Sequence, residues 1–213
     1  MDYNAQDKQI HIVNLAVCAS LQAFEEYSSR SLNCRRDVIA AIRVKLRPYL
    51  QEIAEREYAE TCMGNVRDKI IKLVLALDKT PGVEDLLSEV VTGDHGMTLH
   101  EQAPYGVVLA IYPATNPCAT MINNVISMLA AGNSVISIPN PRCMETSQFL
   151  TEKINEAIEE ACGIQNLVVT LPESRNDLLT EIINHPDVAL VVATGGRKMM
   201  SHVLCSPDRK SVV

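Results

Sequence analysis

Residues 103–142 read APYGVVLAIYPATNPCATMINNVISMLAAGNSVISIPNPR, and this pattern constrains the fold more than any other part of the chain. The run Val107–Ile111 is apolar and short, and it stops before Pro113, as a buried strand does. Thr115 and Asn116 are capping residue types, and Pro117 suits a first helical position, where its missing N–H costs nothing. Met121, Ile122, Val125, Met128 and Leu129 then recur at helical spacing, and Gly132 stands where a helix stops. Ser134–Ile138 is the returning strand. Strand, polar turn, helix, tight turn and strand make one βαβ unit, the building block of parallel sheets. In such sheets ligands sit where a strand's carboxyl end turns into a helix, which directs attention to residues 112–117.

The alternation continues downstream with helix 144–161, strand 166–170, helix 175–184, strand 188–193 and a helix from about 196. Upstream, residues 7–78 carry helical patterns. Ile10, Val13, Leu15 and Val17 mark one helix, and Val38, Ile42 and Leu46 mark a second. Pro48 opens a third that ends near Gly64, and Ile70, Ile71, Val74 and Leu75 mark another. Residues 79–96 form a polar connector, and 97–101 alternate loosely, like an edge strand. The expected fold is α/β, with a doubly wound parallel sheet over 105–213. A helical region (1–78) and a connector with an edge strand (79–104) precede it. The polar turn 208–210 leads into 211–213, which looks like the opening of a further strand.

Composition narrows the function. A net charge of −7 argues against nucleic acid, whose phosphates need clustered Lys and Arg. No apolar run approaches the roughly 20 residues of a membrane span, and the amino terminus lacks the form of a signal peptide. The seven cysteines are dispersed without CxxC spacing, which fits reduced thiols in the cytoplasm better than disulfides or a zinc site. The five histidines lack metal-ligand spacing, so no metal is expected. The Glu-rich run 52–60 reads most simply as a solvated helix face.

A series of ordered motifs resembles the aldehyde dehydrogenase superfamily. The series is Tyr112-Pro113-Ala114-Thr115-Asn116-Pro117, then Ile122-Asn123-Asn124, then Ala130-Ala131-Gly132-Asn133. Flanking segments agree in kind and order: Gly64-Asn65 with Asp68-Lys69, Thr80-Pro81-Gly82-Val83-Glu84, Thr92-Gly93-Asp94 and Thr194-Gly195-Gly196. Within the superfamily the chain is most similar to the CoA-acylating branch of ethanolamine and propanediol utilisation. The resemblance covers roughly residues 10–205.

The resemblance implies roles for three turns. Asn116 would help form an oxyanion hole when a thiolate attacks an aldehyde; a structural helix cap is the plainer alternative. Thr194, Gly195 and Gly196 would receive the pyrophosphate of NAD; an ordinary tight turn is the plainer alternative there. Asn140 and Pro141 stand where common members carry a lysine for the adenosine ribose, and the acylating branch departs from lysine at this place. The choice between NAD and NADP therefore stays open. The expected cofactor site is Pro113, Ala114, Thr115, Asn116, Asn140, Pro141, Thr194, Gly195 and Gly196. Cys118, in a first helical turn where thiol pKa values fall, is a tempting nucleophile. The family's nucleophile, however, lies on a second domain beyond the Thr-Gly-Gly turn.

Two functions stay open. One is the NAD-binding part of an oxidoreductase interconverting a short-chain aldehyde plus CoA with acyl-CoA, the catalytic domain absent and this chain alone inactive. The other is a non-catalytic relative that binds partners, or part of a non-acylating aldehyde dehydrogenase. The resemblance also implies a homo-oligomer, through a hairpin arm containing 97–101, and a bacterial microcompartment. On the same resemblance, the short amino terminus is expected to lack the extra targeting helix many such enzymes carry.

Overall fold

The computed structural model describes residues 5–205 and 211–212. Four helices come first: α1 (Ala5–Ser28), α2 (Leu32–Leu46), α3 (Leu50–Thr61) and α4 (Val66–Lys79). An antiparallel hairpin follows, β1 (Glu89–Gly93) with β2 (Gly96–His100). Strands and helices then alternate. They are β3 (Val107–Ile111), α5 (Pro117–Ala130), β4 (Ser134–Ile138), α6 (Met144–Cys162), β5 (Val168–Thr170), α7 (Asn176–Ile183), β6 (Val188–Ala193), α8 (Arg197–Leu204) and the short β7 (Ser211–Val212). The turn 208–210 and Val213 lie outside the described residues.

Strands β3 to β7 pair in parallel in the order β5-β4-β3-β6-β7. The chain winds outward from β3 through β4 to β5, then crosses back to β6 on the other side of β3. That reversal is the switch point of a doubly wound sheet. Side-chain alternation along β3 sorts the core into two layers. Val108 and Ala110 pack under α5, α6 and the helices α2 to α4. Val107, Leu109 and Ile111 pack under α1, α7 and α8. All five residues of β3 and of β4 are buried, as expected of strands covered on both faces. The helical stripe of α5 faces inward as its spacing implies, with Met121, Ile122, Val125, Met128 and Leu129 all buried.

Helix α1 belongs to both layers. Val13 and Val17 lie in the α7 layer, while Tyr27 lies in the α5 layer. Between them Ser20 Oγ donates to Ser134 Oγ at 2.9 Å, at the amino end of β4. Tyr27 Oη then donates to the Leu129 carbonyl at 3.1 Å, near the end of α5. The helix thus passes around the amino ends of the central strands and pins both faces.

The structure corrects several expectations. The connector 79–96 is not irregular throughout: Glu89–Gly93 is a strand paired in register with Gly96–His100. Its residues are exposed, so the burial alternation that marks strands in sequence is missing. In α4 the buried apolar residues are Leu73 and Leu77, whereas Ile71 and Leu75 are more than half exposed. The Glu run is no uniform solvated face. Glu57 is 2% exposed and forms an ion pair with the equally buried Lys69 of α4. Glu60 accepts from the backbone N–H groups of Glu145 and Thr146, both at 2.9 Å, and so caps α6. A carboxylate at a helix start is favoured by the unpaired N–H groups and the helix dipole.

The link from α5 to β4 depends on a single glycine. Gly132 has φ +88°, and a Cβ there would lie 2.5 Å from Cζ of the nearly buried Arg35. The Gly132→Ala variant should lose about 1–2 kcal/mol from backbone strain and displacement of the guanidinium. Thermal unfolding followed by circular dichroism checks this, and an unchanged midpoint would show that the turn tolerates a side chain.

Candidate functional site

Three strand-to-helix turns converge at the carboxyl ends of β3, β4 and β6 and enclose a cleft of about 520 Å³. Tyr112, Pro113, Ala114, Thr115, Asn116 and Thr120 line it from the β3–α5 turn, Asn140 from the β4–α6 turn, and Thr194, Gly195, Gly196 and Met199 from the β6–α8 turn. Every residue of the expected cofactor site except Pro141 lies here. Pro141 instead is exposed and opens a 3-10 turn, Pro141–Cys143, that leads into α6. Tyr112, Thr120 and Met199 were not anticipated. Thr120 was detectable, being one helical turn beyond Asn116 and therefore on the same face.

The turns differ in what they offer a ligand. Helices α5 and α8 both start without a side-chain cap. Their first N–H groups are thus open to a ligand or solvent, and their positive ends meet at the cleft. Helix α6 differs because Glu60 already occupies its start. At the β6–α8 turn the backbone is closely packed: Thr194 N–H donates to the Ile111 carbonyl at 3.0 Å, and a Cβ on Gly195 would meet Met199 at 3.2 Å. A Cβ on Gly196 would meet nothing, so that glycine leaves open space toward the cleft.

Asn116 does not act as the side-chain cap its position suggested. Lys72 Nζ of α4 donates to Asn116 Oδ1 at 2.8 Å, while the Asn116 carbonyl accepts from Thr120 N at 3.1 Å and Thr120 Oγ1 at 2.7 Å. An ammonium donor makes a stronger bond than a neutral backbone N–H, so the amide oxygen turns to the lysine. Asn116 Nδ2 makes no hydrogen bond among the described residues and remains a donor. A second groove of about 420 Å³ lies between α4 and α5 and shares Asn116 and Thr120 with the cleft. Leu75, Ala76, Pro81 and Ala119 give it an apolar lining, with Lys72, Lys79 and Asn123 among its polar groups.

Cys118 is fully buried. Hydrogen bonding to the Cys143 thiol, followed by burial itself, pushes its pKa well above the ordinary thiol range, the reverse of the lowering expected at a helix start. It is therefore held as a thiol. Cys18, Cys62 and Cys205 are exposed and free, so a thiol reagent should label them in the folded chain. Cys118 and Cys143 should label only after unfolding, which peptide mass mapping reads directly. Labelling of Cys118 in the native state would show the buried cluster to be open.

Residues 3–212 match the aldehyde dehydrogenase family profile. The chain belongs to the aldehyde dehydrogenase family. Among curated aldehyde dehydrogenases it is 45% identical over 184 residues to the CoA-propanoylating propanal dehydrogenase of Salmonella typhimurium, covering 86% of this chain and 40% of that protein. Among solved structures it superposes on Rhodopseudomonas palustris propionaldehyde dehydrogenase with bound propionyl-CoA. The TM-score is 0.90 and the identity 38%, over 94% of this chain and 44% of that one. The propionaldehyde dehydrogenase from the fucose utilisation bacterial microcompartment of Clostridium phytofermentans gives the same TM-score of 0.90 and identity of 38%, over 94% of this chain and 46% of that one. The chain spans about 40% of the length of the curated relative. No helix among the described residues is long and apolar enough to cross a membrane.

Proposed function

We propose that this chain is the dinucleotide-binding portion of an oxidoreductase that interconverts a short-chain aldehyde plus CoA with acyl-CoA. The carrying observation is that two uncapped helix starts, of α5 and α8, open on one cleft at the switch point of the sheet. Such ends attract phosphate, and Gly196 leaves the backbone open to it. The pyrophosphate of NAD or NADP is assigned to the β6–α8 turn and the adenosine to the Asn140 side. When bound, the nicotinamide supplies the acceptor for a hydride. Asn116 Nδ2, its amide oriented by Lys72, donates to the aldehyde oxygen as negative charge develops there. The apolar groove between α4 and α5 begins at Asn116 and has room for a short aldehyde chain.

Cys118, held as a buried thiol, is not the attacking group in this scheme. The purified 213-residue chain should accordingly show no CoA-dependent NAD reduction with acetaldehyde or propionaldehyde. Calorimetry should still detect weak NAD binding, and Gly196→Asp should abolish it by setting a carboxylate against the pyrophosphate. That side chain has space, so the variant should fold normally. Tight binding that Gly196→Asp leaves unchanged would refute the phosphate turn.

The hairpin supports an assembly. Val90, Val91, Met97 and Leu99 are each more than half exposed on an uncovered two-stranded ribbon. A ribbon of this kind gains by pairing with another chain. The proposed partner is a second copy, and the likeness to a microcompartment enzyme supports a compartment of that type as the setting. Light scattering should show self-association that weakens in Val91→Lys or Leu99→Lys. A native chain that stays monomeric at high concentration would count against the arm.

A further inference from the structure

We propose that the groove between α4 and α5 selects a short aldehyde whose far end is anionic, and that Lys79 is the residue that reads that end. The proposal rests on the assignment of this groove to the aldehyde chain and extends it to the class of substrate. Two hydrogen bonds fix how the helices lie. Lys72 Nζ donates to Asn116 Oδ1 at 2.8 Å, and Asn123 Nδ2 donates to Thr80 Oγ1 at 2.9 Å. The earlier residues of the two helices meet, and so do the later ones, so α4 and α5 run side by side in the same direction. From Asn116 to Asn123 is two turns of helix, about 10 Å at a rise of about 1.5 Å per residue. Leu75, Ala76 and Ala119 line the stretch between the two ends.

The groove therefore has a reacting end at Asn116, an apolar middle and a polar far end, which Lys79 lines with Thr80, Pro81 and Asn123. The flexible stem of Lys79 lets its ammonium meet an anion short of that end. Charge decides what the far end prefers. On a chain of net charge −7, this groove is a local exception: two lysines line it and no Asp or Glu does. The nearby acids are engaged elsewhere. Asp78 is paired with Arg47, and Asp68 accepts from Asn65 at the start of α4. The ordinary duty of a lysine in a last helical turn is to serve the open carbonyls. Here the Ala76 carbonyl accepts from Thr80 Oγ1 and the Thr80 carbonyl from Arg43 Nη2, both at 2.6 Å. Lys72 is engaged with Asn116, whereas Lys79 makes no hydrogen bond or ion pair among the described residues. An unpaired ammonium at the end of an apolar run favours a ligand with an anionic end over one that is apolar throughout.

The test is an NMR titration of the isotope-labelled 213-residue chain with levulinate and with its methyl ester. Both present a ketone oxygen to Asn116 in place of the reactive aldehyde, and the ester lacks the charge at the far end. Levulinate should shift the amides of Leu75, Ala76, Ala119 and Thr120 and bind about threefold more tightly than the ester, the scale of one exposed ion pair. Raised salt should narrow that margin. Lys79→Gln should lower levulinate affinity to that of the ester without moving the thermal midpoint, and Lys79→Arg should keep the preference. If levulinate and the ester bind the groove equally, or the preference survives Lys79→Gln, the role of Lys79 is overturned and the groove stays an aldehyde site. If neither ligand shifts these amides, the groove assignment itself fails and Lys79 fails with it.

Discussion

Parallel pairing of β3 with a neighbour on each side is the constraint from which the rest follows. Parallel strands cannot be joined by a tight hairpin, so each passage between them requires a crossover helix. Because the chain leaves β3 first toward β4 and later returns to β6, the helices fall on opposite faces. Register keeps the strand ends level: Ile111 lies beside both Ile138 and Ala193. The turns that follow these three residues therefore emerge side by side. The cleft results from the topology, and the side chains only decide what it can hold.

The helices upstream act on the cleft from behind. Lys72 of α4 orients the amide of Asn116, and Glu60 of α3 fills the start of α6. The buried pair of Glu57 and Lys69 joins α3 to α4, with Glu57 beside Cys118 in the first turn of α5. Removing one member of a buried ion pair commonly costs 3–5 kcal/mol, so this pair fixes the relative position of the two helices firmly. The helical region thus sets the electrostatics of turns that lie far along the sequence.

Much of this was legible in the sequence because it was written in periodicity. The α5 stripe, the β3 and β4 runs and Gly132 each carry a local signal strong enough to place an element. The turn residues were legible as well, because the β3–α5 and β6–α8 turns have distinctive compositions. Several failures share one cause: a partner distant in sequence. The cap alternative for Asn116 gave way when Lys72 was seen to claim its oxygen, and Glu57 and Glu60 looked solvated until α4 and α6 packed against them. Strand β1 was hidden for a different reason. Its residues face solvent on both sides, so nothing imposes the alternation by which strands are recognised.

The clamp made by α1 has a consequence for how the chain reaches this state. Ser20 must find Ser134, a separation of 114 residues, and Tyr27 must find Leu129, a separation of 102. During synthesis the first helix leaves the ribosome long before the strands it grips exist. Val13 and Val17 then have no sheet to cover, and the helix waits as an amphipathic segment open to chaperones or to neighbouring nascent chains. Contacts of such long range close slowly. These two bonds cannot form before β4 has been made, so the time during which α1 is open to misassembly lasts at least as long as translation through β4.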